Sequence, residues 1–308
     1  MRMMIAGPTA SGKTALAIEL AKKIDGEIIS ADSRQCYRYL DIGTAKPTRE
    51  EMELVPHHNI SNLDPDTPDS VALFAEREKK IRQEIQERGR KVIYCGGSTL
   101  HLQSIIRPLD EIPSSDPKNI DELNRLANQK GLEYLYNELK KVDPEYAGKM
   151  DGYNRQRIIR ALDVWKQTGK TFSSFHSDSP IENPDDLTVF VLSRPRKQLH
   201  QRISDRTDMM FEKGFLDEVK TLLKLGYDPG LQSLQTVGYR EAILHLQGKI
   251  GTNEMIKNIK TATRRYAKRQ ITWFRRWPFA YQLDADGKNS HELLNELLLK
   301  VAADTQNR

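Results

Sequence analysis

Residues Gly7, Pro8, Thr9, Ala10, Ser11, Gly12, Lys13 and Thr14 satisfy every position of the phosphate-loop pattern G-x-x-x-x-G-K-[ST]. The apolar run at 3–6 ahead of this loop reads as a strand, and 15–23 behind it reads as a helix. In that setting backbone N–H groups line the hollow of the loop, and the helix adds the positive end of its dipole, so a di- or triphosphate can be held. Lys13 is expected to reach the terminal phosphates, and the Thr14 hydroxyl to ligate Mg2+.

The rest of the chain agrees with such a core. Further short apolar runs at 27–30, 91–95, 187–192 and 279–283 read as strands, and helical patterns at 70–88 and 98–106 follow two of them. Strands alternating with helices imply an α/β fold, a P-loop NTPase-like parallel sheet flanked by helices. Sites in such sheets lie beyond the carboxyl ends of the strands. The loop, Asp32-Ser33 and Gly96-Gly97-Ser98 all fall there. Residues 113–180 differ: helical patterns succeed one another with no strand between, which predicts an all-helical insertion domain. The expected division is 1–112 and 181–308 for the core and 113–180 for the insertion.

The chain has 308 residues, long enough for one large core and an insertion. Its two cysteines, Cys36 and Cys95, stand far apart in the sequence, and its seven histidines show no metal-ligand spacing. No run is long and apolar enough for a membrane span, and the start of the chain goes directly into a strand. We therefore expect a cytoplasmic, monomeric protein from a reducing compartment. The net charge of +5 is modest, but its distribution is not. Residues 260–277 hold seven Lys or Arg and no acid. As a helix they form a cationic stripe suited to nucleic acid, expected to act apart from the phosphate loop.

Phosphoryl-transfer enzymes with this loop usually carry an Asp at an apolar strand end as a second holder of Mg2+. Here the corresponding strand ends in Cys95-Gly96-Gly97-Ser98. That argues for a diphosphate used as a leaving group. Two rivals stand beside this reading. A P-loop kinase of a nucleoside or small metabolite leaves the cationic stripe without a role. A nucleotide-gated RNA-binding protein leaves Asp32 without one.

Several segments together resemble the bacterial tRNA dimethylallyltransferases, also called tRNA isopentenyl-pyrophosphate transferases. They are GPTASGKT at 7–14, SADSRQCY at 30–37, DIGTAKP at 41–47, Pro56-His57-His58, RIIRAL at 157–162, Val237-Gly238-Tyr239-Arg240 and AKRQITWFR at 267–275. Ser98, His101 and Asp69 depart from the usual Thr, Tyr and aromatic residue, and His101 is expected to alter a wall of the pocket. The resemblance implies transfer of a dimethylallyl group from dimethylallyl diphosphate to N6 of the adenosine 3′ to the anticodon, in tRNAs reading codons that begin with U. It implies Mg2+ as cofactor and the tRNA anticodon stem-loop as partner. Asp32 is then the expected general base, with Lys13 and Ser98 acting on the reacting groups and Arg206 as a second diphosphate clamp. Asp32, Ser33, Arg34 and Gln35 would face the extruded adenine. The same resemblance assigns RNA contacts to Gln156, Arg157, Ile158, Ile159 and Arg160, to Gln235, Gly238, Tyr239 and Arg240, and to Lys268, Arg269, Gln270, Trp273 and Arg275.

Overall fold

The computed structural model describes residues 2–175 and 184–306. Its strands are β1 (Arg2–Ala6), β2 (Gly26–Ala31), β3 (His57–His58), β4 (Lys91–Gly96), β5 (Leu187–Ser193) and β6 (Tyr281–Asp284). They form one sheet in the order β3-β2-β4-β1-β5-β6, parallel throughout. The parallel sheet flanked by helices is the architecture the sequence implied. The two-residue β3 is additional. His57-His58 carries no apolar alternation, and only its pairing with Ile28 and Ile29 makes it a strand.

The core helices are α1 (Lys13–Ile24), α2 (Arg49–Leu54), α3 (Val71–Glu87) and α4 (Thr99–Ile106). The insertion adds α5 (Pro117–Lys130), α6 (Leu132–Val142), α7 (Pro144–Gly148) and α8 (Arg155–Thr168). The chain continues through α9 (Arg196–Glu212), α10 (Phe215–Lys224), α11 (Tyr239–Leu246), α12 (Thr252–Phe274) and α13 (Ser290–Gln306). Side chains alternate across each strand, so β1 sends Met3 and Ile5 to one face and Met4 and Ala6 to the other. The first face packs on Leu16 and Leu20 of α1 and Leu293 and Leu297 of α13. The second packs on Phe74, Leu102 and Phe274 from α3, α4 and α12. Burial on both faces explains why these strands read as continuous apolar runs.

The contacts divide the chain into two units, Met1–Arg107 with Ile181–Arg308, and Pro108–Pro180. The second unit packs α5 to α8 around Leu123, Leu135, Leu139, Ile158 and Val164. The end expected for the insertion, residue 180, lies outside the described residues.

Register places the site. Ala6 pairs with Gly96, and Ala31 pairs with Gly96, so the carboxyl ends of β1, β2 and β4 stop side by side. The chain beyond Gly96 crosses close over β2. A Cβ on Gly96 would lie 2.2 Å from the Ala31 carbonyl oxygen, a backbone atom fixed in the sheet. Gly96→Ala should therefore force β2 and β4 apart and destabilise the fold by about 1–3 kcal/mol or more. A fall in the urea midpoint at unchanged m-value checks this, and an unchanged midpoint contradicts it.

Candidate active site

Gly12 caps α1 at φ 102°, in the left-handed region that favours glycine, and no acid occupies the first turn of the helix. The amides at this helix start therefore remain available to an anion. The loop before it is braced by its own lysine and by three arginines from outside. Lys13 Nζ donates to the Pro8 carbonyl at 2.8 Å, Arg202 Nε to the Ala10 carbonyl at 2.8 Å, and Arg194 Nε to the Ser11 carbonyl at 2.8 Å. Arg206 donates to Thr9 Oγ1 at 3.0 Å. With these oxygens satisfied by cations, the loop is held ready for a polyphosphate before any arrives. Arg194 and Arg202 were not anticipated, although Arg202 and Arg206 are spaced one helical turn apart.

Thr9, Ala10, Gly12, Lys13 and Thr14 open onto a cavity of about 580 Å³. Asp32, Ser33, Arg34, Gln35, Arg206, Gln235, Gly238, Tyr239, Arg269 and Gln270 also line it. The sequence-derived candidates from five separate segments thus meet in one place. Burial pulls the Lys13 ammonium down to about 8, with Cys95 and Asp32 opposing and Arg206 assisting. Arg206 is likewise lowered by burial and opposed by Asp32, and it makes no ion pair among the described residues. The cavity therefore presents two partly buried cations that make no ion pair among the described residues. Cys95, beside Thr14 and Lys13, is pushed up to about 11 by burial, so it stands there as a neutral thiol.

The Asp32 carboxylate serves a turn with one oxygen. Oδ1 accepts from the Arg34 and Gln35 amides at 2.8 and 3.3 Å. Among the described residues no hydrogen bond reaches Oδ2, so one oxygen is free for chemistry. Gln35 is not free. Its Oε1 accepts from Ser30 Oγ, and its Nε2 donates to the Thr44 and Ala45 carbonyls. It holds the 41–47 loop while bordering the cavity. Glu218, also unanticipated, holds the other end of that loop. It accepts from the amides of Asp41, Ile42 and Gly43 and from the Tyr239 hydroxyl at 2.5 Å. Tyr239 is fully buried, so its hydroxyl has a protein partner and its ring a packing role.

Other candidates fall elsewhere. Ser98 is the N-cap residue of α4 and lies outside the cavity lining, its amide donating to Ala31. His101 is also outside it, buried and stacked on Phe74 at 4.3 Å, and burial drives it down to about 4. It shapes the packing behind the site, not the wall. Asp69 forms a buried bidentate pair with Arg77 at 2.9 Å. Arg240 pairs with Glu241 outside the cavity. In the insertion, Gln156 and Arg157 are exposed, whereas Ile158 and Ile159 lie in its hydrophobic core and present no surface to RNA. Arg160 is tied to Asp163 and to the Pro113 carbonyl.

The largest correction concerns the cationic helix. It does not act apart from the phosphate loop. One face of α12, with Ile259, Thr263, Tyr266, Arg269 and Gln270, is a wall of the phosphate-loop cavity. Its other face carries Arg264, Arg265, Lys268 and Arg275, which line a second cavity shared with Pro8, Arg194 and Arg196. No carboxylate lines that second cavity. Lys260 pairs with Asp208 at 2.7 Å; none of the other six cations of the stretch makes an ion pair among the described residues. Arg276 stands over the Trp273 ring at 5.3 Å, and Trp273 packs on the core.

A family model described as IPP transferase matches residues 35–277. The chain belongs to the IPP transferase family. It is 45% identical over 302 residues to the tRNA dimethylallyltransferase of Carboxydothermus hydrogenoformans, covering 97% of this chain and 96% of that one. The enzyme of the same name from Clostridioides difficile is 42% identical, over 97% of this chain and 96% of the relative. The crystal structure of the tRNA isopentenylpyrophosphate transferase of Bacillus halodurans superposes with a TM-score of 0.73 at 37% identity, covering 99% of this chain and 96% of the other. A eukaryotic dimethylallyltransferase captured acting on tRNA gives 0.77 at 30% identity, over 92% of this chain and 73% of that chain.

Within this IPP transferase, the low-lying Lys13 sets a pH window for anion binding. Below about 8 the free protein holds the Lys13 proton, and an anion finds it charged. Above that value the proton must be taken up on binding, so affinity falls by up to about tenfold per pH unit. Once the diphosphate's own ionisation is corrected for, titration calorimetry with inorganic diphosphate should show flat affinity up to about pH 8 and a decline beyond. Lys13→Met should bind weakly and without that break; a break retained in the variant assigns it to another group.

Proposed function

We propose that this chain transfers a dimethylallyl group from dimethylallyl diphosphate to N6 of the adenosine 3′ to the anticodon, in tRNAs reading codons that begin with U. The enzyme class, a tRNA dimethylallyltransferase, is that of its relatives. What carries the reading is one cavity that presents the phosphate loop, two partly buried cations without an ion pair among the described residues, and a carboxylate with a free oxygen. The core at 1–112 and 181–308 supplies this chemistry, and the helical insertion at 113–180 offers Gln156 and Arg157 as exposed RNA contacts.

The chemistry follows from the residues. The allylic carbon–oxygen bond breaks and leaves both electrons on the diphosphate. Loop amides, Lys13 and Arg206 stabilise that charge where it develops. The N6 amine is a weak nucleophile, because its lone pair is delocalised into the ring. As the new carbon–nitrogen bond forms, Asp32 takes the N6 proton through Oδ2. Oδ1 meanwhile keeps the 32–35 turn in place.

Mg2+ fits the donors available. Among the described residues no group of three or more His, Cys, Asp or Glu could hold a metal ion. The hard oxygen at hand is the Thr14 hydroxyl, which suits an ion that retains waters and takes few ligands from the protein. When bound, it would add positive charge against the departing diphosphate. The RNA backbone is assigned to the second cavity along α12, whose charged lining is cationic and holds no carboxylate, with Lys268 and Arg275 in reach of phosphates.

Incubation with radiolabelled dimethylallyl diphosphate and tRNA, alongside γ-labelled ATP with a panel of nucleosides, tests the reaction class. Only the prenyl label should move, and it should enter tRNA; phosphoryl transfer would instead mark a kinase. In the same assay Asp32→Asn should lose roughly 10²–10⁴ in rate, because the amide preserves the turn but cannot take a proton. A wild-type rate in Asp32→Asn assigns the base elsewhere.

A further inference from the structure

Gln270 is 2% exposed, in the middle of a helix whose neighbouring positions face two different cavities. Arg269 lines the catalytic cavity and Ile271 the cationic one. Gln270 itself borders the cavity of the phosphate loop, and its amide group is engaged by protein on both sides. Oε1 accepts from the Thr9 amide at 2.9 Å, and Nε2 donates to the Gly97 carbonyl at 2.7 Å. One side chain of α12 therefore bonds both the phosphate loop and the loop after β4. Packing reinforces the joint: Ala267 lies in a small apolar cluster with Leu199 and Ile203, against which Ala10 of the phosphate loop and Ile271 pack. The fit is close enough that a Cβ on Gly97 would come within 2.4 Å of Gln270 Nε2.

We infer that Gln270 is a positioning residue that joins the RNA-facing helix to the diphosphate loop, so that occupancy of the cationic cavity and of the phosphate loop are energetically linked. This rests on the tRNA prenyl-transfer reading and deepens it. Thr9 is held from two sides, by Gln270 at its amide and by Arg206 at its hydroxyl. Arg206 also lines the catalytic cavity. A shift of α12 when its unpaired cations meet phosphodiesters moves the Thr9 amide and the Gly97 carbonyl together. A diphosphate that fixes the loop resists or favours the same shift. Such linkage is reciprocal: each ligand must change the affinity of the other by the same factor.

The test is a four-corner binding cycle on the full chain. The affinity of inorganic diphosphate with Mg2+ is measured with and without saturating tRNA, and that of tRNA with and without saturating diphosphate. Wild type should give equal factors in the two directions, on the order of 5–150-fold. Gln270→Met keeps the length of the side chain and removes both hydrogen bonds. Its coupling factor, taken as the ratio of affinities within the variant itself, should fall to about 2 or less. Gln270→Glu retains the acceptor for Thr9 and loses the donor to Gly97; it should fall between, and it serves if Gln270→Met fails to fold. A wild-type factor of 1, or a variant factor equal to wild type, overturns the inference and leaves the reaction assignment standing. A loss of tRNA binding in Gln270→Met without diphosphate would overturn it by making Gln270 an RNA contact. If wild type binds neither ligand, the reaction assignment and this inference fall together.

Discussion

The structure depends on how the carbonyls of the phosphate loop are held. A tight loop that aims its amides at an anion must aim carbonyls elsewhere, and each of those needs a donor. Here the donors are charged. Lys13, Arg202 and Arg194 satisfy Pro8, Ala10 and Ser11 in turn. Two of the three come from the end of β5 and from α9, nearly two hundred residues along the chain. The loop is thus completed by the second half of the core. Those donors also raise the positive potential around the loop.

A second constraint is the crowding at the carboxyl ends of the central strands. Ala6, Ala31 and Gly96 stop in register, and the three following loops must share a narrow space. Gly96 and Gly97 carry no side chains there because Ala31 and Gln270 fill the positions. That closeness sets Asp32, Lys13 and Thr14 around one cavity. On its far side Glu218 gathers three consecutive amides and the Tyr239 hydroxyl, fixing the 41–47 loop against α11. The phosphate-loop end and the far wall are therefore both braced by hydrogen bonds, which suits the electrostatic stabilisation of a departing anion proposed above.

Much of this was legible in the sequence. The phosphate loop announced itself through residue identity, and the strands through short apolar runs, because both are local signals. Their convergence followed from the rule that sites lie beyond strand ends. What remained hidden was long-range hydrogen bonding. Nothing near Gln35 or Gln270 in sequence reveals that their amides are engaged by Thr44, Ala45, Thr9 and Gly97. A polar residue in a basic stretch looks like an RNA reader until its partner is seen. Ile158 and Ile159 could have been separated from Arg157 by helical periodicity alone, since α8 buries that face. The role of α12 as a wall between two cavities could not, because it depends on which elements the helix packs between.

The central claim is that one cavity brings a diphosphate leaving group and an extruded adenine to opposite ends of the same reacting centre. A crystal structure of the protein with an inert thio-analogue of dimethylallyl diphosphate and an anticodon stem-loop tests it most directly. The account predicts diphosphate oxygens on the 10–14 amides, Lys13 and Arg206, with adenine N6 within hydrogen-bond distance of Asp32 Oδ2. A diphosphate seated in the cationic cavity between α9 and α12, or an adenine whose N6 faces away from Asp32, would contradict it.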